Sequence, residues 1–192
     1  MTTPLRRDAA RNWERIVSVA RDLVDGGTPL QLNDVARRAG VGVATVYRHF
    51  ATPEALLETV AAPCLEDLVG RGRQALAAAD PWHGLTDFLL RTVEAQVTDA
   101  ALPPVAAAAT DALPRTTELK ESLASVGTAL LARAREAAVV RPDLAAADLV
   151  PLVCGIAHAA NVCGGTPADR AETARRYLAA LLDGLRATPP GA

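Results

Sequence analysis

Apolar residues recur along this chain at three- and four-residue spacings almost from end to end, the period of an amphipathic helix. Ile16, Ala20, Leu23 and Val24 form one such stripe, which predicts a first helix over residues 10–25 behind a flexible arm of ten residues. Gly26-Gly27 and Pro29 end it. Leu32, Val35, Ala36 and Ala39 share one face of a second helix, and Gly40 stands where a chain leaving a helix often turns through positive φ. A third helix is predicted over 43–50, and Thr52-Pro53-Glu54 opens a fourth, with Thr as cap and Pro in the first turn. Pro81 opens a fifth. Pro103-Pro104 breaks it, 105–113 reads as a short helix or irregular segment, and Pro114 breaks the chain again. Periodic segments then cover 117–138, 143–163 and 167–185. No stretch alternates as a strand does, and no internal repeat occurs. The fold class is all-α with about nine helices. Residues 1–55 form a helix-turn-helix unit with its arm, and 56–187 a helical body.

The run QLNDVARRAGVGVATVYRHF at 31–50 is the most informative part of the pattern. Two short helices joined by a tight glycine turn can lay the second in the DNA major groove. At about 100° per residue, Val43, Val46, Tyr47 and Phe50 fall on one side of the third helix and read as its inner face. Ala44, Thr45, Arg48 and His49 fall on the other. Small residues, a hydroxyl, a guanidinium and an imidazole pointing outward suit a DNA surface.

Charge sharpens this picture. The whole chain has a net charge of -2, which does not announce a nucleic-acid binder. Residues 1–50, however, carry eight arginines against five acids, while the remainder carries 12 basic and 17 acidic residues. The front attracts phosphate; the rear does not. Half the chain is hydrophobic, so a core is easily built, but only 3% is aromatic, so a pocket has few ring platforms. The opening MTTPLRRDAAR has no apolar secretory core, and no uncharged apolar run is long enough to span a membrane. Cys64, Cys154 and Cys163 make no extracellular disulfide framework. A cytoplasmic setting is expected.

The stretches RIVSVARDLV, DVARRAGVGVATVYRHF and PEALL resemble the DNA-binding domain of the tetracycline-repressor (TetR) family of bacterial transcription regulators. The segment RPDLAAADLVPLVCGI resembles the opening of that family's dimer helix. The resemblance implies a homodimeric, ligand-responsive repressor that binds double-stranded DNA at a palindromic operator and takes a small-molecule effector in its rear domain. By position it implies base contacts from Ala44, Thr45 and Arg48, and phosphate contacts from Tyr47 and His49. Arg6, Arg7 and Arg11 would meet the backbone or minor groove, and Asn33 stands at the start of the second helix. Relatives commonly carry a Lys where this chain has Pro53, so one expected phosphate contact is missing, while the amide groups at the start of the fourth helix remain able to bind a phosphate.

The rear is less explicit. Trp82, His83, Phe88, Arg91 and His158 are its least ordinary residues and form the candidate effector set. Cys154 and His158 share a helical face and Cys163 lies near the same helix's end, but only Cys64 is left to complete a zinc site and nothing in the sequence places it nearby, so neither a metal nor a cofactor is expected. The chain lacks HExxH, GxSxG, P-loop and dinucleotide motifs, so no enzyme is expected. For dimerisation, Leu149, Leu152, Val153 and Ile156 on the eighth helix and Ala174, Leu178, Leu181, Leu182 and Leu185 on the ninth form an expected four-helix seam. The competing reading is a helical protein-interaction module with a degenerate DNA-binding head.

Overall fold

The computed structural model describes the backbone from residue 4 to residue 187 and side chains from residue 8. Its described residues form nine α-helices: α1 (Pro4–Asp25), α2 (Leu32–Ala39), α3 (Val43–His49), α4 (Pro53–Leu76), α5 (Pro81–Thr98), α6 (Leu102–Ala107), α7 (Pro114–Glu136), α8 (Ala146–Val162) and α9 (Pro167–Leu185). The only bridge recorded among them is Val140 to Arg186. The chain divides into two compact units. One runs to Pro63 and adds Ala100–Thr117; the other takes Cys64–Asp99 and continues from Glu118.

Helix starts follow local chemistry. The Ala55 amide donates to Thr52 Oγ1 (3.1 Å) ahead of Pro53, and the Trp82 amide donates to Asp80 Oδ1 (2.9 Å) around Pro81. Thr166 and Asp169 cap each other reciprocally before α9: the Asp169 amide donates to the Thr166 hydroxyl (3.2 Å) and the Thr166 amide to the carboxylate (2.9 Å). Elsewhere the sequence misplaces a start. Residues 4–10 are helical, so this part of the expected flexible arm is the first turns of α1, while residues 1–3 of that arm lie outside the described residues. Pro103 and Pro104 lie in the first turn of α6, and Pro114 begins α7, because first-turn amides have no intrahelical acceptor to lose. The eighth helix begins at Ala146 and not at 143. Arg141 grips Asp143 through two contacts of 2.5 Å, and Arg135 donates to the Pro142 (3.1 Å) and Leu144 carbonyls, which holds this segment out of the helix.

In the first unit α1 packs on α2 and α2 on α3. Ile16, Ala20, Leu23, Val35, Ala36, Val46 and Leu56 are buried at its centre. Pro63 lies inside α4, where it withholds one N–H from the helical ladder. Arg21 of α1 donates to the neighbouring Val60 carbonyl (2.5 Å). In the second unit α5 packs on α8 and α9, around a core of Leu85, Phe88, Val93, Leu130, Leu149 and Leu178. Arg133 of α7 donates to the Leu76 and Ala78 carbonyls, which closes the end of α4. Past α9, the Ala187 amide donates to the Val139 carbonyl (3.1 Å) and the Arg141 amide to the Leu185 carbonyl (3.0 Å).

Candidate nucleic-acid interface

The geometry of residues 31–50 begins at Gly40. Its φ of 62° is left-handed, and the Val41 amide donates back to the Ala36 carbonyl (3.1 Å), the pattern that ends a helix and reverses the chain. A Cβ at this glycine would come within 3.0 Å of the Arg15 guanidinium. That guanidinium donates to the Ala39 carbonyl, so α1 pins the turn from outside. Nothing in the apolar pattern marks Arg15, because its role depends on a residue 24 positions away.

α3 is seated by Val46 and Phe50 alone, both buried. The expected inner face is too wide: Val43 is 46% exposed and Tyr47 50% exposed. A helix of two turns packed on α2 needs only one i, i+4 pair to hold it, and its flanks stay open. Ala44, Arg48 and His49 are exposed as expected, and Thr45 is half-buried. Exposed and half-buried positions therefore run without interruption from Val43 and Tyr47 on one edge, through Ala44 and Arg48, to Thr45 and His49 on the other. Asn33 is exposed in the first turn of α2. Arg37 is held by Asp34 at 2.8 Å, while among the described residues no ion pair engages Arg48. Arg11 is exposed, with Asp8 at 3.9 Å. The side chains of Arg6 and Arg7 lie outside the described residues.

Residues 16–60 match the profile of bacterial regulatory proteins of the tetR family, and residues 80–187 match the C-terminal domain of SbtR-like transcriptional regulators. The chain belongs to the tetR family. A TetR regulatory protein of Mycobacterium vanbaalenii, solved by crystallography, is 31% identical over 95% of this chain and 99% of its own, with a TM-score of 0.55. A TetR regulator of Streptomyces coelicolor is 29% identical over 92% and 99%, with a TM-score of 0.58. An HTH-type transcriptional regulator of Staphylococcus aureus is 40% identical over 48 residues, a match spanning 24% of this chain and 26% of that protein.

As a member of the tetR family the protein is a DNA-binding transcriptional regulator and not an enzyme. Pro53 offers no ammonium and no N–H, and Thr52 already takes the Ala55 amide.

The candidate effector residues of this tetR-family regulator do not converge. Phe88 is buried against Gly72 of α4 and Gly127 of α7, where its ring fills the space two missing side chains leave. Trp82 is half-buried under the Arg186 guanidinium, 4.7 Å from its ring centre. Arg91 is exposed between Asp87 and Glu94, each at 3.5 Å. His158 is exposed on α8. Of the five, His83 lines an open groove of about 360 Å3 between α5 and α9, with Asp87, Leu90, Arg175, Leu178 and Leu182. Arg175 is held there by Glu94 at 2.7 Å.

The cysteines are separate. Burial pushes the Cys154 thiol up. Cys163 is exposed, and its sulfur lies 3.4 Å from the Tyr177 hydroxyl, a contact that raises the tyrosine above its ordinary value. Among the described residues no three metal-capable side chains come together.

In the single chain the residues of the expected dimer seam fall into two groups. Leu149, Val153, Ala174, Leu178 and Leu185 are buried in the core of their own chain, and Leu152, Ile156, Leu181 and Leu182 are half-buried against that core. Periodicity identified the apolar face of each helix but not its partner. On α8 the opposite face is open: Val150, Pro151, Gly155, His158, Ala159 and Val162 are all exposed. Among the described residues, no helix is long and apolar enough to cross a membrane.

Proposed function

We propose that this regulator is a homodimeric repressor, working in the cytoplasm, that presents two copies of α3 to a palindromic operator and releases it when a small molecule binds the rear unit. The observation that carries this is the exposed face of α3, with Ala44 and Arg48 at its centre, standing on Val46 and Phe50. Base edges are read by side chains such as Arg48, which can bond guanine through two N–H groups. Tyr47 and His49, on opposite edges, are suited to the phosphates that flank the groove.

Dimerisation rests on α8, which carries no Asp, Glu, Lys or Arg from Leu149 to its end at Val162. An uncharged, small-residue face left open over the length of a helix is suited to a second copy, as a two-fold axis pairs a surface with itself. The effector reading rests on the rear unit's groove. Its apolar floor and its rim of His83, Asp87 and Arg175 suit an amphipathic molecule.

The test is selection of bound duplexes from a random pool by the pure protein, followed by titration against the selected and scrambled sequences. Enrichment of a two-fold symmetric site supports the reading. A protein that enriches no sequence supports the competing one, a helical interaction module with a degenerate head.

A further inference from the structure

Val43 is the exposed large apolar residue that the reading of α3 leaves without a role. It belongs to the first turn of the helix and is 46% exposed, whereas Val46 and Phe50 are the residues of this helix and its cap that are buried in the head's core. Tyr47, one turn later on the same edge, is 50% exposed. A recognition helix brings its N-terminal residues nearest the base edges. The first turn of α3 offers Val43 and Ala44 there as exposed side chains, with Thr45 half-buried. Neither Val43 nor Ala44 can donate or accept a hydrogen bond. The one feature of a major-groove base edge that such a group can recognise is the 5-methyl of thymine, which cytosine lacks. Val43 is the better equipped of the two. It carries two methyls, and its β-branch fixes χ1 in a helix, so little freedom is lost on contact.

We infer that Val43 is a specificity-determining residue that reads the 5-methyl group of a thymine in each operator half-site. This rests on α3 being the major-groove helix, and it adds apolar readout to the hydrogen-bonded readout of Arg48. Val43→Ala should fold normally, because the lost methyls are exposed and alanine is the better helix former.

The experiment replaces each thymine of the selected operator, in both half-sites together, by deoxyuridine, which removes the methyl and keeps every hydrogen-bonding group. Affinities are measured for the wild type, Val43→Ala and Val43→Thr, with circular dichroism as the folding check. For the wild type, one thymine position should lose affinity roughly fourfold per methyl contact removed. The same replacement should leave Val43→Ala unchanged, while Val43→Thr, which keeps one methyl, should retain part of the loss. Deoxyuridine effects that are identical in the wild type and Val43→Ala overturn the assignment and transfer the methyl contact to another side chain. A selected site with no thymine in either half overturns it too. Failure of the DNA reading itself appears earlier and separately, as a selection that enriches nothing.

Discussion

Glu58 holds Leu113: its carboxylate accepts the Leu113 amide at 2.8 Å and, through the other oxygen, the Ala112 amide at 2.6 Å. The carboxylate is buried in α4, and the two amides lie just before Pro114 begins α7. Both are backbone donors that α7 itself cannot satisfy, and a carboxylate offers an acceptor oxygen to each. Bonds to a charged group are worth about 1.5–3 kcal/mol, and a buried donor left alone costs a comparable amount. Glu58→Ala should therefore lower the unfolding free energy by about 3 kcal/mol in denaturant titration. Glu58→Gln should recover little, since its NH2 would face one of the amides donor to donor. Full stability in the Gln variant would show that one of the two bonds is idle.

Gly72 tests the packing around Phe88. A Cβ at this position would lie 2.5 Å from Val126 Cγ1 and 2.9 Å from Phe88 Cε2, so neither neighbour leaves room. Gly72→Ala should cost about 1–3 kcal/mol despite its better helix propensity. Adding Val126→Ala removes the nearer clash and should restore part of the loss in the same thermal melts. Additive destabilisation in the double variant would contradict this geometry.

These two sites mark where the sequence stops being legible. Thr52-Pro53 and Pro81 could be read as helix starts because the signal and the helix are adjacent in the chain. The Ala39–Gly40 turn was legible for the same reason, and local periodicity put Val46 and Phe50 inside α3 but wrongly added Val43 and Tyr47. Glu58, Arg15 and Gly72 act on partners tens of residues away, and no local pattern encodes them. The same limit explains the dimer residues. Leu178 and Val162 are both apolar and both on periodic helices. Only the packed chain shows that the first is inside its own core and the second, 72% exposed, is not.

The Thr166–Asp169 box gives a pH dependence with a definite sign. The Thr166 backbone amide, and next its hydroxyl, hold the Asp169 carboxyl below the ordinary carboxylate range. Its unfolded pKa is about 3.9. A group with a depressed folded pKa stabilises fully above the unfolded value, and loses that contribution as pH falls through the folded one. The gap in melting temperature between wild type and Asp169→Ala should be constant from about pH 7 to 5 and shrink below about 4. A gap that widens in acid would reverse the assignment of cause.

At the DNA face, Arg48→Ala should weaken the selected duplex by about 1–3 kcal/mol more than a scrambled one. His49→Ala should weaken both alike, because phosphates carry no sequence. Two heads with about three phosphate-neutralising groups each should give a slope of log affinity on log salt of roughly -5. Equal losses on both duplexes for Arg48→Ala would remove it from the base-reading set.

The last prediction separates core from seam. Leu178→Glu would bury a charge in the chain's own core and should unfold it, so it says nothing about assembly. Ala159 and Val162 lie on the open face of α8, and Val162 is 72% exposed in the single chain. Ala159→Glu with Val162→Asp should therefore keep the helical signal and the melting behaviour of an isolated chain. In a dimer built on this face, two-fold symmetry brings four new carboxylates into one contact, and unpaired like charges inside a contact are costly. Light scattering should report a dimer for the wild type and a folded monomer for the double variant. Affinity for a half-site should survive in that monomer while affinity for the full palindrome collapses toward it, because the two heads no longer bind as one. A double variant that remains a dimer with full palindrome affinity would move the seam off α8.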